Sequence, residues 1–154
     1  MYTREQASQL RQAFWTAFGQ YIAPHPSADG YKINWANYRT GLKHVYFRMQ
    51  ADKKKASIAI EITHPDPDIQ ELFFEQFQEL RNLLHEYVGE EWEWELHTTN
   101  SEGRIISRIY KELPSVSVFN QNDWPDLISF FKPRIIALDD FWSGAKYSFD
   151  ELRD

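Results

Sequence analysis

The chain has 154 residues and a net charge of −6, with 38 Leu, Ile, Val and Phe residues, 6 Trp and 8 Tyr. This composition clears that of disordered chains and suits one domain over residues 1–154. There is no cysteine, so disulfide scaffolds, thiolate zinc sites and cysteine nucleophiles are excluded. No apolar run approaches the roughly 20 residues of a membrane helix, and Met1–Gln6 lacks the apolar core of a signal peptide. A cytoplasmic protein without a membrane partner is expected.

The charge is uneven. Residues 31–55 hold seven bases (Lys32, Arg39, Lys43, Arg48, Lys53, Lys54, Lys55) against Asp52 alone, whereas residues 61–102 hold twelve acids against Arg81 alone. A chain split in this way can present a basic face despite its acidic total.

Thr3-Arg4-Glu5-Gln6 has the form of a capping box, and Leu10, Phe14, Phe18 and Ile22 follow at helical spacing. The stretch from Pro24 to Gly30 ends that helix. Three strands are predicted next: Tyr31–Tyr38, with Tyr31, Ile33 and Trp35 alternating against polar residues; His44–Gln50, with Val45, Phe47 and Met49; and Ser57–Thr63, with Ile58, Ile60 and Ile62. Asp66 as N-cap and Pro67 as first residue open a second helix that runs to Gly89. Glu91–His97 and Arg104–Lys111 read as a hairpin whose register sets Glu93 opposite Arg108 and Glu95 opposite Ile106, making Glu93–Arg108 a cross-strand ion pair. A last helix begins near Trp124, and Pro133 is expected to kink or divide it. The expected fold is a two-layer α+β domain in the order α-β-β-β-α-β-β-α, its five-stranded antiparallel sheet carrying helices on one face.

Phe14-Trp15, Lys32-Ile33-Asn34-Trp35, His44-Val45-Tyr46-Phe47-Arg48, Ala59-Ile60-Glu61-Ile62, Glu71-Leu72-Phe73-Phe74, Glu91-Trp92-Glu93-Trp94, Ser107-Arg108-Ile109 and Asp123-Trp124-Pro125 together resemble the bacterial domain of unknown function 4268 over nearly the whole chain. Members stand alone or follow a restriction-nuclease-like domain. The resemblance therefore implies a setting of nucleic-acid processing or defence, and it supplies no catalytic residues to carry over.

The basic segment is the main functional clue. Lys32, Arg39, Lys43, Arg48 and Lys53–Lys55 can hold a phosphate backbone, with Trp35 or Tyr46 against bases or a protein partner. The ordinary account is a solvated sheet edge whose lysines deter aggregation. A metal-dependent nuclease would need carboxylates and a lysine converging on one cation. Asp29 with Asp52 and Lys54 fits that spacing loosely, and Glu61, His64 and Asp66 form the densest titratable group. Asp66 as a helix cap and His64 as a turn residue explain the latter without chemistry. The histidines are scattered and no phosphate loop or nucleophile elbow is present. The sequence thus reads as a non-catalytic accessory or interaction domain, with no cofactor expected. The alternatives are a minimal or degenerate metal-dependent nuclease and a protein-binding or dimerisation module, self-association being consistent with an aromatic sheet face.

Overall fold

A computed structural model describes residues 2–153. The described elements are helix α1 (Arg4–Ile22), strands β1 (Val45–Ala51) and β2 (Lys55–Ile62), helices α2 (Pro67–Glu79) and α3 (Arg81–Val88), strands β3 (Glu93–Thr99) and β4 (Ile105–Pro114), and helix α4 (Trp124–Ala145). The capping box of α1 forms as its sequence requires: the Gln6 N–H donates to the Thr3 hydroxyl and the Thr3 N–H to the Gln6 side chain. Asp66 caps α2, with Pro67 at its start.

The strands make one antiparallel sheet in the order β1-β2-β4-β3. Four strands, not five, build it among the described residues. Tyr31–Tyr38 alternates in sequence yet forms no strand. The Asn34 side chain accepts from the Asn37 N–H at 3.2 Å and winds Trp35–Asn37 into a 3₁₀ turn, while the Trp35 indole donates to the His25 carbonyl. Asparagine offers the backbone a local bond that competes with a ladder, and here it prevails. The order is therefore α-β-β-α-α-β-β-α. The predicted second helix is two helices, because at Leu80 (φ −96°, ψ 9°) the N–H turns back to Phe77. Pro133 lies inside α4, which continues through it as one helix.

The β3–β4 register also differs from the expected one. Glu95, not Glu93, lies opposite Arg108, and Thr98 lies opposite Ile106. The ladder is irregular between Glu95 and Thr98, where His97 takes φ 54° and its N–H donates to the Ser107 hydroxyl. The shift begins at the loop, where the Asn100 N–H donates to the Arg104 carbonyl and Thr99 pairs with Ile105, and the bulge moves the pairs beyond it by one residue. The expected ion pair survives with a changed partner: Arg108 Nε sits 2.6 Å from Glu95.

One sheet face is buried. Val45, Phe47, Ile58, Ile60, Ile62 and Ile109 belong to one continuous cluster with Phe73 and Phe77 of α2, Leu138 and Trp142 of α4, and Phe149. Helix α1 adds Phe14 and Phe18, which lie against Phe131 of α4. Trp142, 2 % exposed, has the rings of Phe47, Phe77 and Phe149 within 6.1 Å, and its indole donates to the Thr40 carbonyl at 2.7 Å.

Truncating this residue tests the arrangement. Trp142→Ala is expected to cost about 3–5 kcal/mol from the cavity it opens. Trp142→Phe should cost about 1–3 kcal/mol, much of it from the unpaired Thr40 carbonyl. Urea unfolding followed by far-ultraviolet circular dichroism measures both.

Candidate functional site

The alternation of β1, β2 and β4 sends Tyr46, Arg48, Gln50, Glu61, Arg108, Tyr110 and Glu112 to the face away from the helices. On that face the charges form a line across all four strands. Arg48 Nε of β1 lies 2.8 Å from Glu61 of β2, Glu61 is paired in register with Arg108 of β4, and Arg108 bonds Glu95 of β3. Opposite charges on neighbouring strands hold one another in register. Each arginine also covers a tyrosine on its own strand: Arg48 lies 4.5 Å from the Tyr46 ring centroid, and Arg108 lies 4.0 Å from that of Tyr110.

Ala59 and Ile106 are buried beneath the polar side chains of this face. Above it lies an open groove of about 1030 Å³. It runs from the β3–β4 loop (Asn100, Glu102, Arg104) past Arg108 and Glu61 to Tyr46, Arg48 and Gln50, with His44 and Thr63 at the strand ends. Gln70, 1 % exposed, closes that end: its amide donates to the carbonyls of His64 and Ile105 and accepts from the Ser107 hydroxyl. Arg104 is exposed and makes no ion pair among the described residues.

Glu61 is the buried member of the line. Burial pushes its carboxyl above the ordinary glutamate value, against the pull of Arg48 and Arg108.

The sequence-derived candidates fall into separate places. Arg48 and Tyr46 line the groove. Lys43 is exposed ahead of β1, and Lys32 and Arg39 are exposed on the loop before it. Trp35 is 2 % exposed and belongs to the core. Lys53, Lys54 and Lys55 lie at the β1–β2 turn, roughly 24 Å from Lys43 by the length of the intervening strand. There the Asp52 side chain accepts from the N–H groups of Lys54 and Lys55. Burial raises the Asp52 carboxyl, but these two donors and the lysine charges outweigh it and hold it below its usual value. Lys55 is further tied to Glu112 at 2.7 Å.

The carboxylates weighed for a metal do not meet. Asp29 accepts from the Ser143 hydroxyl and faces Lys146 of the C-terminal segment, Asp52 holds its turn, Glu61 pairs with Arg48, and Asp66 caps α2 while its N–H donates to His64 Nδ1. Among the described residues no three histidine, aspartate or glutamate side chains are grouped as a cation requires.

Asp29, Tyr38, Arg39 and Asp139 line a smaller cavity of about 340 Å³. The buried Asp139 carboxylate accepts there from the Tyr38 hydroxyl at 2.5 Å and the Ala28 N–H at 2.7 Å, fastening the loop before β1 to α4. Burial, reinforced by Asp139, pushes the Tyr38 phenol far above its ordinary value.

Sequence reasoning did not assign Arg104, Arg108, Gln50 or His44 to a site. The available signal was a mirrored period-two pattern, Tyr46-Phe47-Arg48 on one strand and Arg108-Ile109-Tyr110 on another. It becomes visible as one surface only once β2 is known to lie between the two strands.

Arg48→Gln is expected to raise the Glu61 carboxyl further, read by carbon-13 titration, and to cost about 1–3 kcal/mol at neutral pH because a half-buried charge loses its partner. The sign follows from linkage. A carboxyl raised on folding contributes stability in full below the ordinary glutamate value and loses it as pH rises through the folded value. The deficit of the variant should therefore shrink in acid.

No helix among the described residues is long and apolar enough to cross a membrane. No curated protein and no solved structure matches the chain. The family model of the Domain of unknown function (DUF4268) matches residues 10–146, nearly the whole chain, and the protein belongs to that family.

Proposed function

We propose that the chain is a non-catalytic, single-domain binding module whose open sheet face takes single-stranded nucleic acid along the groove between Asn100 and Gln50. The observation that supports this is an open groove lined by Tyr46 with Arg48 over its ring and by Arg108, whose guanidinium is fixed over Tyr110 on the same strand. Single strands expose base faces that stack on aromatic rings and guanidinium planes, and open sheets offer such platforms. Tyr46 is 41 % exposed, so its ring is accessible beside Arg48.

Phosphates carry the second half of the recognition. Arg48 and Arg108 are oriented by Glu61 and Glu95, which lowers their net charge but fixes their planes. Arg104 on the hairpin loop keeps its whole charge for a phosphate. The overall acidity does not oppose this reading. The acids of α2, such as Glu71, Glu75 and Glu79, belong to the helical layer, and the groove itself sets Arg48, Arg104 and Arg108 against Glu61 and Glu102. The lysines of the β1–β2 turn lie at the far end of the sheet and supply long-range attraction rather than contact.

Fluorescence anisotropy with labelled single-stranded RNA and DNA of about ten nucleotides, a length within the span of comparable sheet platforms, tests this. Tyr46→Ala should weaken binding roughly 5- to 100-fold, the range of one lost stacking contact. Arg104→Glu should weaken it and flatten its dependence on salt. Changing Lys53 and Lys54 to Glu should have a smaller effect, confined to low salt. Absence of binding at low salt, or loss on the lysine change with none on Tyr46→Ala, overturns the assignment.

A further inference from the structure

Helix α4 buries Ile135, Leu138 and Trp142 along one stripe, and Asp139 stands on that stripe at 5 % exposure. A carboxylate is seldom buried unless it is both hydrogen-bonded and paired with a positive charge. Asp139 has the first and lacks the second. The Tyr38 hydroxyl and the Ala28 N–H fill two of its roughly four acceptor sites, and neither donor carries a charge. No lysine, arginine or histidine forms an ion pair with it among the described residues.

The surroundings deepen this negative charge. Burial first, then Asp139, raises the Asp140 carboxyl against the pull of His25. Asp29 also lines the cavity, and the lysine there, Lys146, is already committed to it at 3.6 Å. The exposed Arg39 side chain makes neither an ion pair nor a hydrogen bond among the described residues.

Asp139 opens onto the cavity of about 340 Å³ between the loop before β1 and the C-terminal half of α4. That volume lies within the range of small-molecule sites. Tyr31, Ile33, Tyr38 and Trp142 give the cavity an apolar and aromatic lining, and Tyr31 is left 71 % exposed. Ring faces attract cations, most strongly where water is excluded. We propose that the cavity binds a small organic ammonium ion, a primary amine carried on an aromatic or aliphatic body. Its N–H groups take the two open acceptor sites of Asp139, and its body lies against Tyr31 and Ile33. An anion would meet Asp139 and Asp29, and a neutral molecule would leave the buried charge uncompensated. A bare metal ion lacks the grouped ligands it needs among the described residues. The cavity shares no lining residue with the groove on the sheet, so this site does not rest on the nucleic-acid reading.

Isothermal titration of the whole chain with phenethylamine at neutral pH tests the proposal, with phenethyl alcohol as the uncharged molecule of the same shape. The amine should bind at one site and at least about tenfold more tightly than the alcohol. Amide shifts in nitrogen-15 spectra should gather in residues 27–40 and 139–146. Asp139→Asn keeps the size and removes the charge, so the preference for the amine should disappear; thermal melting checks that this variant folds. Arg39→Gln leaves the core untouched and removes a positive charge beside the cavity. It should tighten the amine roughly two- to fivefold, the worth of one exposed charge, without changing the alcohol. An amine that binds no better than the alcohol, or shifts centred outside the two segments, overturns the proposal. So does a preference that neither substitution alters.

Discussion

Trp142 ties together parts of the chain that are far apart in sequence. Its ring lies among Phe47 of the sheet, Phe77 of α2 and Phe149 of the C-terminal segment, and its N–H holds the Thr40 carbonyl. Thr40 in turn bonds the Val45 carbonyl, where β1 begins. One buried residue therefore fixes the helical layer against the sheet and decides where the first strand starts. Because the aromatic mass of α1, α2 and α4 lies on the side of Ile58, Ile60 and Ile62, nothing of that size is left to cover the other side. An antiparallel sheet tolerates this, since its second face can meet water.

The open face is what the core leaves over, and its composition follows from that. Tyrosine and arginine bring large stems that shield Ala59 and Ile106 while keeping polar ends in water. The line Arg48–Glu61–Arg108–Glu95 then serves two ends. It resists register slip, which would separate the partners, and it orients the guanidinium planes that the proposed ligand meets.

The sequence revealed the elements whose period was enforced by burial and misjudged those decided by local side chains. Ile58, Ile60 and Ile62 alternate because one face of β2 is covered, and that strand was read to within two residues of its bounds. Tyr31, Ile33 and Trp35 alternate too, yet Asn34 diverts the segment into a turn. Periodicity alone cannot weigh a capping bond against a ladder. The Glu93–Arg108 pairing failed by two residues because the hairpin turns more tightly than a Thr98–Gly103 loop: Asn100 bonds Arg104 and Thr99 pairs with Ile105, a shift of three residues of which the bulge at His97 takes back one. The loop before β1 contributes no strand because Asp139 and Trp142 hold it through bonds more than a hundred residues apart in sequence.

The candidate site was only half legible for the same reason. Clustering of charge along the chain drew attention to residues 31–55, but a sheet regroups residues by strand order and by parity. Strand order brings Arg108 beside Glu61, and parity separates Arg48 from Phe47. Lys53–Lys55, close to Arg48 in sequence, lie beyond the end of β1 at its turn into β2, away from the β3–β4 loop, with Lys55 already engaged by Glu112. A surface argued from linear charge density therefore spreads over both ends of β1, whereas one argued from parity gathers on a single face. The groove is the second kind, and its residues come from β1, β2 and β4, the start of α2 and the loop joining β3 to β4. Contact at such a face depends on which side chains share a parity, so the groups proposed to stack and to hold phosphate come from β1, β4 and the loop before β4 rather than from the most basic stretch of the chain.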